Sequence, residues 1–269
     1  NEVIAQKPRA AFFLNYSEEE SLKLQEDYGV IVQSKDAIDD KILGYEYFKE
    51  LESKVQWGRR MEGWNELLKI EIPPSNSLIV SDEYLLTNVQ RVSAKNVNVG
   101  FENLKLLFDR ILPENLKIPY HITILSYNKD RDEAWRVKIA EDLDSFLKTI
   151  RSYEFQIEII YIKPQHKRSL VMNYINASCD RGFTVFSAHD YCTVKDDNDI
   201  RFNRVFQNIH NCCLGDCEFK SATIILSKMQ KECRELVVHL QDNATWYKGD
   251  IINNYGEEKT FKNRLFNAV

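Results

Sequence analysis

The sequence predicts an α/β fold: a mostly parallel central sheet with helices on its faces, plus a hairpin and a mixed N-terminal region. Three observations predict it. Strand-like runs at SLIV (77–80), YHITIL (120–125) and FQIEIIYI (155–162) alternate with two stretches of helical spacing. The intervals between them are long enough for the right-handed helical crossovers that parallel neighbours require. The 269 residues, 43% hydrophobic with only 9 Gly and 6 Pro, are enough for a packed core and argue against disorder.

In chain order, AAFFLNY (10–16) is a short apolar run. Ser17 with Glu20 three positions later reads as a capping box opening a helix to Tyr28, which Gly29 ends. Residues 30–32 suggest a second short strand. Helical spacing then runs through Ile38, Ile42, Tyr45, Phe48, Leu51 and Val55, so residues 36–68 are expected to be helical. Pro73, Pro74, Ser75 and Asn76 are the clearest punctuation and the candidate linker between an N-terminal region, 1–72, and a larger α/β domain, 77–269.

Inside the larger region, Phe101, Leu104, Leu107, Phe108 and Ile111 share one helix face, and Pro113 stops that helix. Trp135, Ile139, Leu143, Phe146, Leu147 and Ile150 mark the buried side of a second helix, 133–151. After Pro164, RSLVMNYINA (168–177) and GFTVFSA (182–188) read as the two arms of a hairpin. IRFNRVFQNI (200–209) fits strand or helix, 221–241 has helical spacing, and Leu265 with Phe266 is expected to dock as a last apolar anchor.

The charge of -5 and pI near 5.7 disfavour a broad nucleic-acid surface, although a local basic patch remains compatible with them. No apolar run approaches the ~20 residues of a membrane span, and residues 1–9 carry no apolar signal core. Six cysteines are too sparse for a disulfide scaffold, which predicts reduced thiols and a cytoplasmic location. Glycines do not cluster at any strand-to-helix turn, so neither a P-loop nor a dinucleotide loop is present, and no cofactor is expected.

Three places carry candidate chemistry. Asp82, with Glu83 and Tyr84, follows the first central strand, where the carboxyl ends of parallel strands open onto a crevice. Strand-end turn chemistry is the plainer role for Asp82, with Tyr84 packing on the sheet. His166, Lys167 and Arg168 follow the third central strand and suit an anion. Alternation places His166 and Arg168 on one side. A solvated basic turn is the plainer alternative. His210, Cys212, Cys213 and Cys217, with His189 and Cys192 upstream, could ligate zinc, but their spacing is irregular and buried thiols explain them better. Nothing positions a base beside Cys179 or Cys192 for a Cys–His dyad.

The run LIVSDEY (78–84), the repeated strand-helix unit, and His166-Lys167-Arg168 followed by RGFTVF (181–186) resemble a phospholipase D-like domain. The resemblance is to the divergent form at the carboxyl end of some microtubule-interacting-and-trafficking proteins and in bacterial conflict-system proteins. It covers about residues 77–186. It implies a scaffold more than a phosphodiesterase, because the family's active His-x-Lys is absent: Lys167 directly follows His166 and Arg168 stands two places on. One copy would also need to dimerise to assemble the family's two-histidine site.

The resulting expectation is a non-catalytic or degenerate module. It binds a protein partner or an anionic ligand at an edge formed by Asp82, Tyr84, His166 and Arg168. The alternative is a phosphodiesterase or nuclease with His166 as nucleophile and Lys167 or Arg168 holding the phosphate. A third reading is a zinc-stabilised structural protein built on His210, Cys212 and Cys217.

Overall fold

The computed structural model describes residues 2–35, 51–69, 71–127, 131–162, 166, 168–204, 231, 234–235, 238, 251–253 and 263–267. After a short α1 (Glu2–Ala5), β1 (Ala11–Leu14), α2 (Glu18–Tyr28) and β2 (Ile31–Ser34) make a small parallel βαβ unit, with Phe12 opposite Val32. Its helix begins where the sequence says it should. The Glu20 N–H donates to the Ser17 hydroxyl at 3.2 Å, and the Ser17 N–H donates to the Glu20 carboxylate at 2.9 Å. Gly29 ends α2 in the left-handed region at φ 60, and a side chain there would strike the Ser75 carbonyl.

The same close approach packs Ser75 and Asn76 against the end of α2. Ser75 and Asn76 are buried, and the Asn76 amide donates to the carbonyls of Ala5 and Tyr28 at 3.2 and 2.8 Å. Asn173 completes the junction by donating to the Gly29 carbonyl at 3.0 Å. An amide buried with its donors and acceptors used holds three chain segments in register.

The main sheet contains β3 (Leu51–Val55), β4 (Ser77–Ser81), β7 (Tyr120–Tyr127), β8 (Phe155–Ile162), β9 (Ser169–Met172), β10 (Ile175–Cys179), β11 (Asn198–Arg204) and β12 (Ile251–Asn253). A separate hairpin is formed by β5 (Val89–Val92) and β6 (Lys95–Asn98). The order in the large sheet is β12-β8-β7-β4-β9-β10-β11-β3. The three predicted central strands are adjacent and parallel, with Val80 opposite Ile124 and Ile124 opposite Ile159.

The sheet as a whole is mixed rather than mostly parallel. β9, β10, β11 and β3 add antiparallel on one side, and β12 adds antiparallel on the other. Connection length decides this. Parallel pairing occurs where a helix intervenes, whereas the two residues between Met172 and Ile175 allow only an antiparallel return. The hairpin therefore lies within 169–179, and 182–188 is irregular apart from a bridge between Phe186 and Val194. Part of the expected 36–68 helix is also a strand: Leu51–Val55 pairs with β11, and the helical part described is α3 (Gly63–Leu67). Residues 36–50 lie outside the described residues.

Two crossover helices, α4 (Val99–Ile111) and α5 (Glu133–Ile150), cover one sheet face. Leu104, Leu107 and Phe108 of α4 and Leu143 and Leu147 of α5 are wholly buried with Leu78, Val80, Ile122, Ile124 and Ile159. Each such side chain contributes about 1.5–3 kcal/mol on leaving water. α6 (Arg264–Asn267) brings Leu265 and Phe266 into burial, as the apolar anchor requires.

Candidate functional site

The end of β4 is wedged between the end of β7 and the start of β9, because Ser81 pairs with both Leu125 and Ser169. This register sets the path of the next two residues. The Asp82 N–H donates to the Leu125 carbonyl at 3.0 Å, and the Glu83 carbonyl accepts from the Tyr127 N–H at 3.0 Å and the Ser126 hydroxyl at 3.2 Å. Two adjacent carboxylates are thereby carried below the surface, with Asp82 2% and Glu83 1% exposed.

Asp82 serves the local backbone. One carboxylate oxygen accepts from the Tyr84 N–H at 3.0 Å, an Asx-type turn, and the other accepts from the Phe183 N–H at 2.8 Å. Burial pushes this carboxyl above the ordinary carboxylate range, opposed by those two N–H groups and by the Arg168 charge. Gly182 makes the approach possible. It sits at φ 90, and an added Cβ would lie 2.5 Å from Asp82 Oδ2 and 3.1 Å from Arg168 Cδ.

Glu83 is the hub that links the other candidates. Its Oε1 lies 3.2 Å from Arg168 Nη2 and 3.7 Å from His166 Nδ1, an ion pair in the second case once the imidazole is protonated. Arg168 also donates through Nη1 to the Asp180 carbonyl at 2.6 Å. Its side chain is 14% exposed, whereas that of His166 is 95% exposed. Glu83 Oε2 and Arg168 Nε are both buried without a hydrogen-bond partner among the described residues.

Beneath them Gly182 is fixed from its carbonyl side. That oxygen accepts from the Asn198 amide at 3.0 Å and the Cys179 thiol at 2.8 Å, while Asn198 Oδ1 accepts from the Arg181 N–H at 3.0 Å. Burial pushes the Cys179 thiol up to about 12, so it is a packing group and not a nucleophile.

The structure thus gathers Asp82, His166 and Arg168 at one strand-end edge, with His166 and Arg168 meeting the same oxygen of Glu83. Tyr84 is 42% exposed at the rim, and its backbone rather than its ring joins the hydrogen-bonded cluster. Lys167 lies outside the described residues, as do His210, Cys212, Cys213 and Cys217. Among the described residues no three His, Cys, Asp or Glu side chains form a metal-binding group. His189 and Cys192 flank Asp190, whose carboxylate accepts from the Cys192 and Thr193 N–H groups at 3.0 and 2.9 Å to close a turn.

Glu83 and Asn198 are the participants that sequence reasoning did not assign. The carboxylate beside Asp82 was visible, but strand alternation would send it to the opposite side, and only the chain's turn after β4 brings both inward. Among the described residues no helix is long and apolar enough to cross a membrane.

No protein family model matches the chain, and no curated protein matches it. Among solved structures it is similar to phosphatidylserine synthase of Haemophilus influenzae Rd KW20, at 9% identity over 75% of this chain and 46% of that one. The TM-score is 0.28, too loose a superposition to carry a shared fold.

Proposed function

We propose that the chain is a phospholipase D-like module without turnover, which captures an anionic group, on a protein partner or a small ligand, at the edge bearing His166 and Arg168. The observation that carries this reading is their convergence on Glu83 Oε1, which sets an exposed imidazole beside a largely buried guanidinium at one edge. Asp82 and Tyr84 belong to the same edge in different ways: Asp82 shapes it from beneath, and Tyr84 offers a half-exposed ring beside it. A nucleic acid fits the acidic chain less well than a discrete anionic group does. Inorganic phosphate titrated into the full chain, followed at the His166 ring signals, tests this. Saturable shifts support it, and unmoved signals count against it.

A second reading has one specific observation in its favour. His166 turns Nδ1 toward a carboxylate, which is how a protein orients an imidazole so that Nε2 can act as a nucleophile. On that reading Arg168 holds the phosphate of a phosphodiester, and a homodimer brings up the second histidine. Loss of phosphodiester hydrolysis in His166→Ala would put this reading first.

A further inference from the structure

A second place in the fold carries ligand chemistry that owes nothing to the His166 edge. Between α4 and α5, beside the β5–β6 hairpin, lies a solvent-open hollow of about 580 Å3. Small ligands fill volumes of this size.

The charges around the hollow are unevenly satisfied. Lys105 pairs with Glu102 at 2.6 Å and Lys138 with Asp142 at 3.1 Å, each within its own helix. Arg131 is left over: among the described residues no carboxylate pairs with it, and its Nε is buried without a hydrogen-bond partner. Its guanidinium lies over the Trp135 ring, 5.4 Å from the centroid. Phe101 and Ile139 supply apolar lining nearby.

The Arg131 side chain is only partly buried, so the outer nitrogens of its fork are the ones a ligand can meet, and a planar fork pairs best with carboxylate, sulfonate or phosphate oxygens. We propose that this hollow binds a small anion with a planar apolar body, its acidic group on Arg131 and its ring beside Trp135. The anionic group gives orientation and the ring gives buried area, the usual division of labour in such sites.

Anilinonaphthalene sulfonate, an aryl sulfonate that fluoresces on burial, is the probe, with uncharged phenylnaphthylamine as its neutral counterpart. The full chain is expected to bind the sulfonate saturably at one site, and Arg131→Gln to weaken that binding about tenfold, as for a lost charge-assisted pair. Binding of the neutral compound should be unchanged by the substitution, and His166→Ala should leave the sulfonate's affinity as it is. Competition by adenosine monophosphate or by indole acetate then tells a phosphate from a carboxylate as the preferred acid. Equal sulfonate binding in Arg131→Gln, loss of binding in His166→Ala, or displacement by neither competitor overturns the proposal.

Discussion

Arg168 Nη2 lies 3.2 Å from Glu83 Oε1, a pair formed across 85 positions of sequence and closed at the junction of β4 with β9. Glu83 is 1% exposed, so the guanidinium is the cation available to offset its burial. Removing one partner leaves the other's charge uncompensated. Glu83→Ala is therefore expected to lose about 3 kcal/mol in urea unfolding, well beyond a surface pair. Arg168→Met in the same background should recover part of that loss, since it removes the stranded charge.

Gly182→Ala tests the geometry that seats this pair. At φ 90 any side chain is strained, and this one would also meet Asp82 Oδ2 at 2.5 Å. A loss of about 2–3 kcal/mol is expected. Amide exchange at Phe183 should quicken, because its N–H donor bond to Asp82 is displaced.

How much of this was legible in the sequence depended on range. The capping box at Ser17 and the buried stripe of α4 rest on neighbours within one or two turns, and both stood where the spacing put them. β3 did not: LESKV is a strand because β11 pairs with it, and β11 lies more than 140 residues away. The antiparallel half of the sheet was hidden for the same reason. At the site, the direction of β8 led to His166 and Arg168 being expected beside Asp82. Arg168 reaches that edge, however, because the strand that follows it, β9, pairs antiparallel with β4. The role of Glu83 did not follow from sequence, since a carboxylate gains a reason to be buried only once Arg168 arrives from a distant strand.

Asp82 gives a pH dependence of unusual sign. Burial raises its native pKa above the unfolded value, so the folded state holds the proton more tightly. Its contribution to stability is then greatest in acid and is lost as pH rises from the ordinary aspartate range, ~3.9, through the raised native value. Unfolding free energies of the wild type and Asp82→Asn across a pH series should show the wild type's relative advantage shrinking as pH rises. An advantage that grows with pH would refute the assignment.

The thiols should differ in reactivity. Cys179 is buried and donates to the Gly182 carbonyl, whereas Cys192 is partly exposed in a turn. Mass spectrometry after brief iodoacetamide treatment at mildly alkaline pH should find Cys192 alkylated and Cys179 intact in the folded chain, with Cys179 reacting only in denaturant. Equal labelling of the two would show that the floor beneath Gly182 is open.

The edge built by His166 and Arg168 over Glu83 is proposed to bind an anion without breaking it. Phosphorus NMR of a simple dialkyl phosphodiester mixed with the full chain reads both parts at once. A saturable change in the diester signal that weakens in His166→Ala is expected, with no monoester signal appearing on prolonged incubation. A monoester signal that grows with the wild type and is absent with His166→Ala would contradict it, and the edge would then be a catalytic one.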